Sequence, residues 1–232
     1  MGPRESVRHA ARQNLSIRQS EKRVNLTPAP WPIGRPELTD RETEHLLLAA
    51  RDFHGLPFKL DTASYLTMAD ISMRARAEKL ARARRNQSLD LLVIDYLKFV
   101  KPTSNYRGQR VYEVGEITAA LKVLAKDLDL CVLLLAQLNR EPEKRDDKRP
   151  QLSDLRESGD LEADADVVLL LFREAYYLQN DPNVLQDAEL SRRLDETRHR
   201  LEIHVAKNRQ GPTGVIETLC HPGCGTVRNA VR

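Results

Sequence analysis

Asp95 is the residue whose type and position point most directly to chemistry. It follows the apolar run Leu91–Ile94, which has the length and composition of a buried β-strand. A carboxylate at the end of such a strand can hold Mg²⁺ through a water molecule, at the place where the phosphates of a nucleotide would lie. The alternative is an ordinary strand-terminal aspartate that caps a loop. The pattern therefore predicts a Mg²⁺-organising acid and leaves the capping role open.

Gln137, Lys207 and Arg209 are further side chains suited to contact phosphate groups. Gln137 follows a second apolar run, Cys131–Ala136, and the two basic residues follow a stretch of alternating apolar residues. A guanidinium donates two parallel hydrogen bonds and stays charged, so Arg209 suits stabilisation of charge on a transferred phosphoryl group. The alternatives are a hydrogen-bonded structural amide for Gln137 and an exposed surface hairpin for the basic pair.

The glycine-rich phosphate loop of nucleotide triphosphatases is missing from the sequence. Such a loop needs glycines for close backbone approach and a lysine for the β- and γ-phosphates. No Gly in the sequence is followed by Lys. The residues thus predict only half of a nucleotide site.

Cys220, His221 and Cys224 form the one cluster that suggests a metal site of another kind. Three zinc ligands without a companion C-x-x-C pair are a weak signal, and the neighbouring Gly and Pro residues favour a turn. Cys131 is the only other cysteine, and so few cysteines are typical of a reducing compartment rather than a disulfide framework.

Composition limits the class of protein. A chain of 232 residues with 41% hydrophobic content can bury one sizeable core. A net charge of +3 and a pI near 8.8 are compatible with nucleic acid but do not require it. No apolar run approaches the roughly 18 residues that a membrane span needs. We therefore expect a soluble, cytoplasmic protein.

The apolar pattern predicts an α/β domain at 37–232 after a basic, disordered leader at 1–36 that contains a short helix near Glu5–Leu15. Strand, helix and strand in that order, with polar residues at the strand ends, are typical of a mostly parallel sheet covered by helices on both faces. The expected helices are Thr39–Phe53, Thr67 to about Arg85 and the segment around Val114–Leu128; the expected strands are Leu56–Leu60, Leu89–Ile94, Cys131–Ala136 and Val167–Phe172; Pro182–Arg200 is either an exposed helix or a disordered excursion; and Leu201–Leu219 is a hairpin that turns at Gly211–Gly214.

Five blocks give the chain a resemblance to a known family. They occur in family order and are Val93–Leu97, Ala136–Arg140, Arg149–Gly159, Ala163–Asp166 and Ala206–Gly214. Together they resemble the DnaB-type replicative DNA helicases, whose motor is a RecA-like ATPase domain assembled as a hexameric ring. The likeness runs from roughly Leu38 to Val227, and the block that contains Ser153–Gly159 is its most specific part.

The resemblance implies a role for each matched residue. Asp95 resembles the acid that organises Mg²⁺, and Gln137 resembles the polar sensor of the γ-phosphate. Arg156, Glu157 and Gly159 match the loop that contacts the backbone of single-stranded DNA. Lys207 and Arg209 match the basic pair that one subunit offers to the nucleotide of its neighbour, with Arg209 as the arginine finger. ATP and Mg²⁺ are the implied cofactors.

Some features of the family are missing from the sequence. The phosphate loop, the strand that ends in the catalytic glutamate and the N-terminal collar domain are not found, and neither Glu5 nor Glu21 can be assigned as the catalytic base. The strand that carries the phosphate loop lies in the middle of the family's sheet. Its neighbours would lose backbone partners at about 1–3 kcal/mol for each buried group left unsatisfied, so the sheet should close up, recruit another chain or be unstable.

These observations leave two main hypotheses for function. The first is a replicative helicase motor domain, or the downstream piece of a divided one, that couples ATP hydrolysis to translocation on single-stranded DNA. The second is a non-catalytic module for single-stranded DNA binding and ring assembly. A RecA-like regulator or recombinase relative is a third, weaker possibility. The expected partners are single-stranded DNA, further copies in a hexameric ring or a complementing upstream fragment, and primase, but no membrane.

Overall fold

The structure is a computed structural model that describes residues 39–54, 56–102 and 108–230. The predicted leader and its short helix lie outside these residues. The helices of this part are α1 (Asp40–His54), α2 (Met68–Ala83), α3 (Arg110–Asp127), α4 (Gly159–Asp164), α5 (Glu174–Gln179) and α6 (Ala188–Thr197). Short 3-10 helices occur at Leu97–Phe99, Glu141–Lys144, Leu152–Ser158 and Pro222–Cys224. The strands are β1 (Leu66–Thr67), β2 (Leu91–Ile94), β3 (Val100–Lys101), β4 (Cys131–Leu134), β5 (Val167–Phe172), β6 (Arg200–Asn208), β7 (Gly214–His221) and β8 (Thr226–Asn229).

Helix α3 forms the centre of the main core. Val114, Ile117, Leu121 and Leu124 recur at intervals of three and four residues, and all four side chains are buried. They pack with Ile71 and other residues of α2, and with inward-facing residues of β2 and β4. The predicted amphipathic helix is therefore confirmed, and it supports both parallel strands.

Helix α2 begins at the predicted cap. The Asp70 backbone N–H donates to Thr67 Oγ1 at 3.2 Å, and the Thr67 N–H donates to the Asp70 carboxylate at 3.0 Å, which completes a capping box. The hydrogen bonds from Thr67 are the main reason that the pKa of Asp70 is lowered. The helix ends at Ala83, slightly before the expected Arg85.

The strand expected at Leu56–Leu60 is wrong. This segment has no strand pairing, and its side chains are exposed. Pro57 lacks an N–H group, and the Phe58 N–H donates locally to the Leu56 carbonyl at 2.7 Å. Ion pairs attach the region to α2 instead, from Lys59 to Glu78 at 2.6 Å and from Asp61 to Arg74 at 2.5 Å.

The strands form parallel pairs and an antiparallel sheet. β2 pairs in parallel with β4, from Leu91 opposite Cys131 to Ile94 opposite Leu134, and β1 pairs in parallel with β3. The order β5–β6–β7–β8 is antiparallel throughout. The predicted hairpin is confirmed as β6 and β7. The expected strand at Val167–Phe172 is also confirmed as β5, but its hydrogen-bonded neighbour is the antiparallel β6.

The expectation that helices cover both faces of the sheet is not met within the described residues. Leu92, Ile94, Val132 and Leu134 face α3, whereas the alternate side chains point away from the core and are exposed. The physical reason is that α2 and α3 pack on one side only, and strand geometry sends every second side chain to the other side. We call the exposed side of β2, β4 and β5 the outer face; its side chains include Leu91, Val93, Leu133, Leu169 and Leu171.

Membrane insertion finds no support in the helices. None of those in the described ranges is both long enough and apolar enough to cross a bilayer.

Replacing Ile117 with Ala should lower the free energy of unfolding by about 2–5 kcal/mol. The side chain is 0% exposed, so its removal would leave a cavity in the core. Val123→Ala on the same helix is the matched control because Val123 is 58% exposed. Urea unfolding followed by circular dichroism measures both variants. Equal losses would contradict the orientation of α3.

Candidate functional site

Asp95 and Gln137 come together because β2 and β4 are parallel neighbours. The last paired residues are Ile94 and Leu134, and the Leu135 N–H donates to the Ile94 carbonyl at 3.0 Å. Parallel strands end at the same edge of a sheet, so the residues just beyond both strands lie at one edge. Both side chains are exposed and continue the alternation of the outer face. The structure thus brings the predicted acid and the predicted sensor to one edge.

A cavity of about 470 Å³ lies beside this edge. Its lining includes Gln137 and Asn139 from the segment after β4, Lys98 from the segment after β2, Arg110 from α3, and Asp154. A volume of this size lies in the range of small-molecule sites. The cavity therefore connects the strand ends with the 3-10 helix Leu152–Ser158, which carries two of the predicted DNA-binding residues.

Asp154 fixes that 3-10 helix. Its side chain is 3% exposed and accepts hydrogen bonds from Arg145 Nη2 at 2.5 Å and from the Gln151 N–H at 2.7 Å. Its backbone carbonyl accepts from the Asn139 N–H at 3.2 Å. Because Asn139 is two residues after Gln137, a short backbone path joins the predicted sensor to the predicted DNA-binding segment.

Sequence reasoning assigned no role to Arg145, Asn139 or Asp154. Gln151 and Asp154 have the spacing of a capping box, and the structure forms one there. That spacing was the available signal for Asp154. No sequence signal pairs Arg145 with it, because the two residues meet only after the intervening segment folds back.

The predicted DNA-binding residues lie at the junction of this 3-10 helix with α4. Arg156 and Glu157 belong to the 3-10 helix, and their side chains lie outside the described part. Gly159 begins α4 with φ of −50°, and a Cβ atom added to it would meet nothing within 4 Å. Neither the backbone conformation nor a contact with the described residues requires glycine at this position.

Lys207 and Arg209 lie on the carboxyl end of α4. The ammonium of Lys207 donates to the carbonyls of Glu162 and Ala163, and the guanidinium of Arg209 also donates to the Ala163 carbonyl. Carbonyls at a helix end carry partial negative charge and attract cations. Within the described residues, no hydrogen bond or ion pair joins either basic side chain to Asp95 or Gln137.

Asp166 is a second partner for the basic pair. Its carboxylate lies 3.6 Å from Arg209 Nη1 and accepts a hydrogen bond from Lys122 of α3. The bond from Lys122 is the largest cause that lowers the pKa of Asp166, and the charges of Arg209 and Lys207 add to it. About half of the Arg209 side chain stays exposed, so it is not enclosed by its own chain.

The segment Cys220–Cys224 forms a turn. β7 ends at His221, a 3-10 helix covers Pro222–Cys224, and Gly225 adopts the left-handed φ of 61° before β8. Across the described residues, no group of three His, Cys, Asp or Glu side chains is placed to hold a metal ion.

Arg149 and Glu202 join the segment before Asp154 to β6. Arg149 donates to both carboxylate oxygens of Glu202, from Nε at 2.9 Å and from Nη2 at 3.0 Å, and its guanidinium lies over the ring of Phe172. Glu202 is buried. The hydrogen bonds from Arg149 are the main cause that lowers the pKa of Glu202, and a bond to His204 adds to it.

The fold and the site define the class as a RecA-like α/β ATPase domain. The chain belongs to the family described as the DnaB-like helicase C terminal domain, which matches residues 12–228. The predicted resemblance and fold class are thereby confirmed.

Curated relatives and solved structures support the same family. The chain is 39% identical over 182 residues to the replicative DNA helicase DnaB of Rickettsia prowazekii, covering 77% of this chain and 36% of the relative. It is 33% identical over 205 residues to the same helicase of Geobacillus stearothermophilus, covering 88% and 40%. The chain therefore spans well under half the length of these relatives.

Two solved structures share the fold. One is a DnaB-like replicative helicase described with its interactions with primase, at a TM-score of 0.72 and 29% identity, covering 87% of this chain and 44% of that chain. The other is a separate ATPase domain, at a TM-score of 0.70 and 28% identity, covering 84% of this chain and 62% of that chain.

Replacing Arg149 with Met should lower the free energy of unfolding at pH 7 by about 2 kcal/mol, because Glu202 would keep a buried charge without its main partner. A carboxylate with a lowered pKa contributes stability above its unfolded pKa, here near 4.5, and loses it as pH falls through the folded pKa. The deficit should therefore shrink below about pH 4.5.

Urea unfolding at pH 7 and pH 3.5 measures this difference. The matched control is Arg192→Met, because Arg192 makes only exposed pairs on α6. A deficit that is the same at both pH values would show that packing of Arg149, rather than its charge, stabilises β6.

Proposed function

We propose that residues 37–232 form the downstream part of a cytoplasmic replicative helicase motor domain, preceded by a basic leader at 1–36. In this proposal the domain couples ATP hydrolysis to translocation on single-stranded DNA and to duplex unwinding. The observation that carries the proposal is the parallel pairing that places Asp95 and Gln137 at one edge, linked through Asn139 to the segment of Arg156. Family membership supports the same activity.

ATP and Mg²⁺ are the cofactors of this proposal, and the donor set of the edge fits them. Asp95 offers an exposed carboxylate, the oxygen ligand that Mg²⁺ prefers, and would hold the ion through water. The ion would supply neutralisation of phosphate charge. Gln137 would place its amide beside the terminal phosphate. The glycine and lysine of a phosphate loop are not in this sequence and must come from polypeptide outside residues 1–232.

Arg156, Glu157 and Gly159 are the proposed contacts with single-stranded DNA. The bare Cα of Gly159 supports this role, because it leaves room for a sugar-phosphate backbone to approach α4. Contacts to the backbone carry no base preference and release counterions, which suits a motor that moves along any sequence.

Lys207 and Arg209 are the proposed basic pair for the nucleotide of a neighbouring subunit. Their lack of a bond to Asp95 or Gln137 within the described residues, together with the half-exposed Arg209, supports action between subunits rather than within one. Such action requires an oligomer, and a closed ring of six copies is the proposed assembly. Primase is a further proposed partner, supported by the relative described with primase.

The second candidate function is a non-catalytic module that binds single-stranded DNA and assembles rings. The observation that favours it is the absence of any Gly-Lys pair in the sequence. Titration of the chain with Mg·ATP distinguishes the two: nucleotide binding at micromolar concentrations favours the motor, and salt-dependent DNA binding without any effect of nucleotide favours the module.

Replacing Arg156 with Ala should weaken binding to an oligo(dT) probe about three- to tenfold and reduce the slope of log K against log salt by about 0.7, the value for one phosphate contact on a single strand. Fluorescence anisotropy at several salt concentrations measures both quantities. Arg85→Ala, an exposed arginine just after α2, is the matched control. An unchanged slope for Arg156→Ala would remove this residue from the DNA site.

Replacing Arg209 with Ala should lower DNA-stimulated ATP hydrolysis by about a thousandfold without changing oligo(dT) affinity, as expected of an arginine finger. The assay mixes the chain with the phosphate-loop segment of the Geobacillus stearothermophilus relative. Arg198→Ala is the control, since Arg198 pairs only with the exposed Asp195. If the wild-type mixture hydrolyses no more ATP than either piece alone, the motor hypothesis fails.

A further inference from the structure

Two strands of the domain are paired along one edge only. β4 is hydrogen-bonded to β2, and β5 is hydrogen-bonded to β6, but no described strand pairs with the second edge of either. The sheet is thus interrupted between its parallel pair and its antiparallel part. An unpaired edge presents a row of free N–H and C=O groups, which makes it a template for another strand.

Both free edges lie on the same layer of helices. The inward residues of β4 pack against α3, and those of β5 pack in a second cluster with Leu155. Leu161 of α4 contacts both clusters. Thr118 of α3 donates to Asp164 at 2.6 Å, just before β5, so α3 is tied to both strands. The interruption is therefore supported from the inner side and is not a separation of two independent domains.

The outer face is apolar on both sides of the interruption. Leu91, Val93 and Leu133 are between 46% and 50% exposed on one side, and Leu169 and Leu171 are 50% and 61% exposed on the other. A contiguous apolar surface of this kind usually binds another polypeptide. The free edges and the apolar face point to one missing neighbour that supplies both a strand and a covering segment.

We infer that the interruption accepts an apolar β-strand from polypeptide outside residues 1–232, and that the segment after this strand carries the phosphate loop and covers the outer face. The inference rests on the proposed function and names its structural partner. A strand parallel to β4 would end at the edge that holds Asp95 and Gln137, so the loop that follows it would meet these residues.

Other occupants fit less well. A strand covered on both faces needs a nearly continuous apolar run, and residues 1–38 contain no two adjacent large apolar residues. A second copy offers strands that are already paired on one edge and brings no phosphate loop. The solved ATPase domain described above has 38% of its chain outside the part that this chain covers, from 62% coverage, which is room for such a strand and helix.

The test uses the whole chain and, as probe, the phosphate-loop segment of the Geobacillus stearothermophilus relative expressed separately. We expect a one-to-one complex by calorimetry, and hydrogen exchange should show new protection at the backbone amides of both β4 and β5. Leu133→Asp and Leu169→Asp should each weaken the complex at least tenfold. Leu185→Asp is the matched control, because Leu185 is 94% exposed and lies away from these strands.

The outcomes separate this inference from the proposed function. Absence of a complex, or a complex without protection of both strands, overturns the inference. Protection of both edges by self-association of the chain, without the probe, also overturns it. A protected complex that hydrolyses no ATP overturns the motor function but leaves the strand site in place. Hydrogen exchange on the wild-type chain decides the matter even if an Asp variant fails to fold.

Discussion

The parallel register of β2 and β4 is the constraint on which the rest of the site depends. Ile94 opposite Leu134 sets the strand ends level, so that Asp95 and Gln137 leave the sheet at one edge and on one face. A slip of one residue in either strand would turn its polar end toward α3 and its apolar side chains toward solvent. The buried stripe of α3 prevents that slip, because it has apolar partners only in the observed register.

Much of the fold follows from the pattern of apolar residues. The period of Val114, Ile117, Leu121 and Leu124 predicts α3, Thr67 and Asp70 predict the start of α2, and the strand-ending Asp95 and Gln137 predict the shared edge. These features depend on local spacing and on short-range geometry. For that reason they can be recognised without knowledge of the rest of the fold.

Other features depend on contacts between distant segments and could not be predicted. The runs at β2 and β5 are apolar at every position, which indicates two covered faces, yet only one face is covered in the described part. β5 also has the composition of a parallel strand although its described partner is antiparallel. The composition of a strand records the full set of neighbours for which it is suited, and it does not say which chain segment provides each neighbour. The clamp of Arg145 on Asp154 was missed for a related reason, since ion pairs leave no periodic signal.

Helix α4 connects the two surfaces that the proposed motor would use. Gly159 begins it at the proposed DNA contact, and Lys207 and Arg209 bind carbonyls near its other end, six residues and about 9 Å away. So short a helix moves as a rigid unit. Its N-terminal side is joined through Asp154 to the segment after Gln137, and its C-terminal side through Asp164 to Thr118 of α3. A displacement of the strand ends would therefore reach the DNA contact and the neighbour-facing cations together, because both are attached to the same few residues.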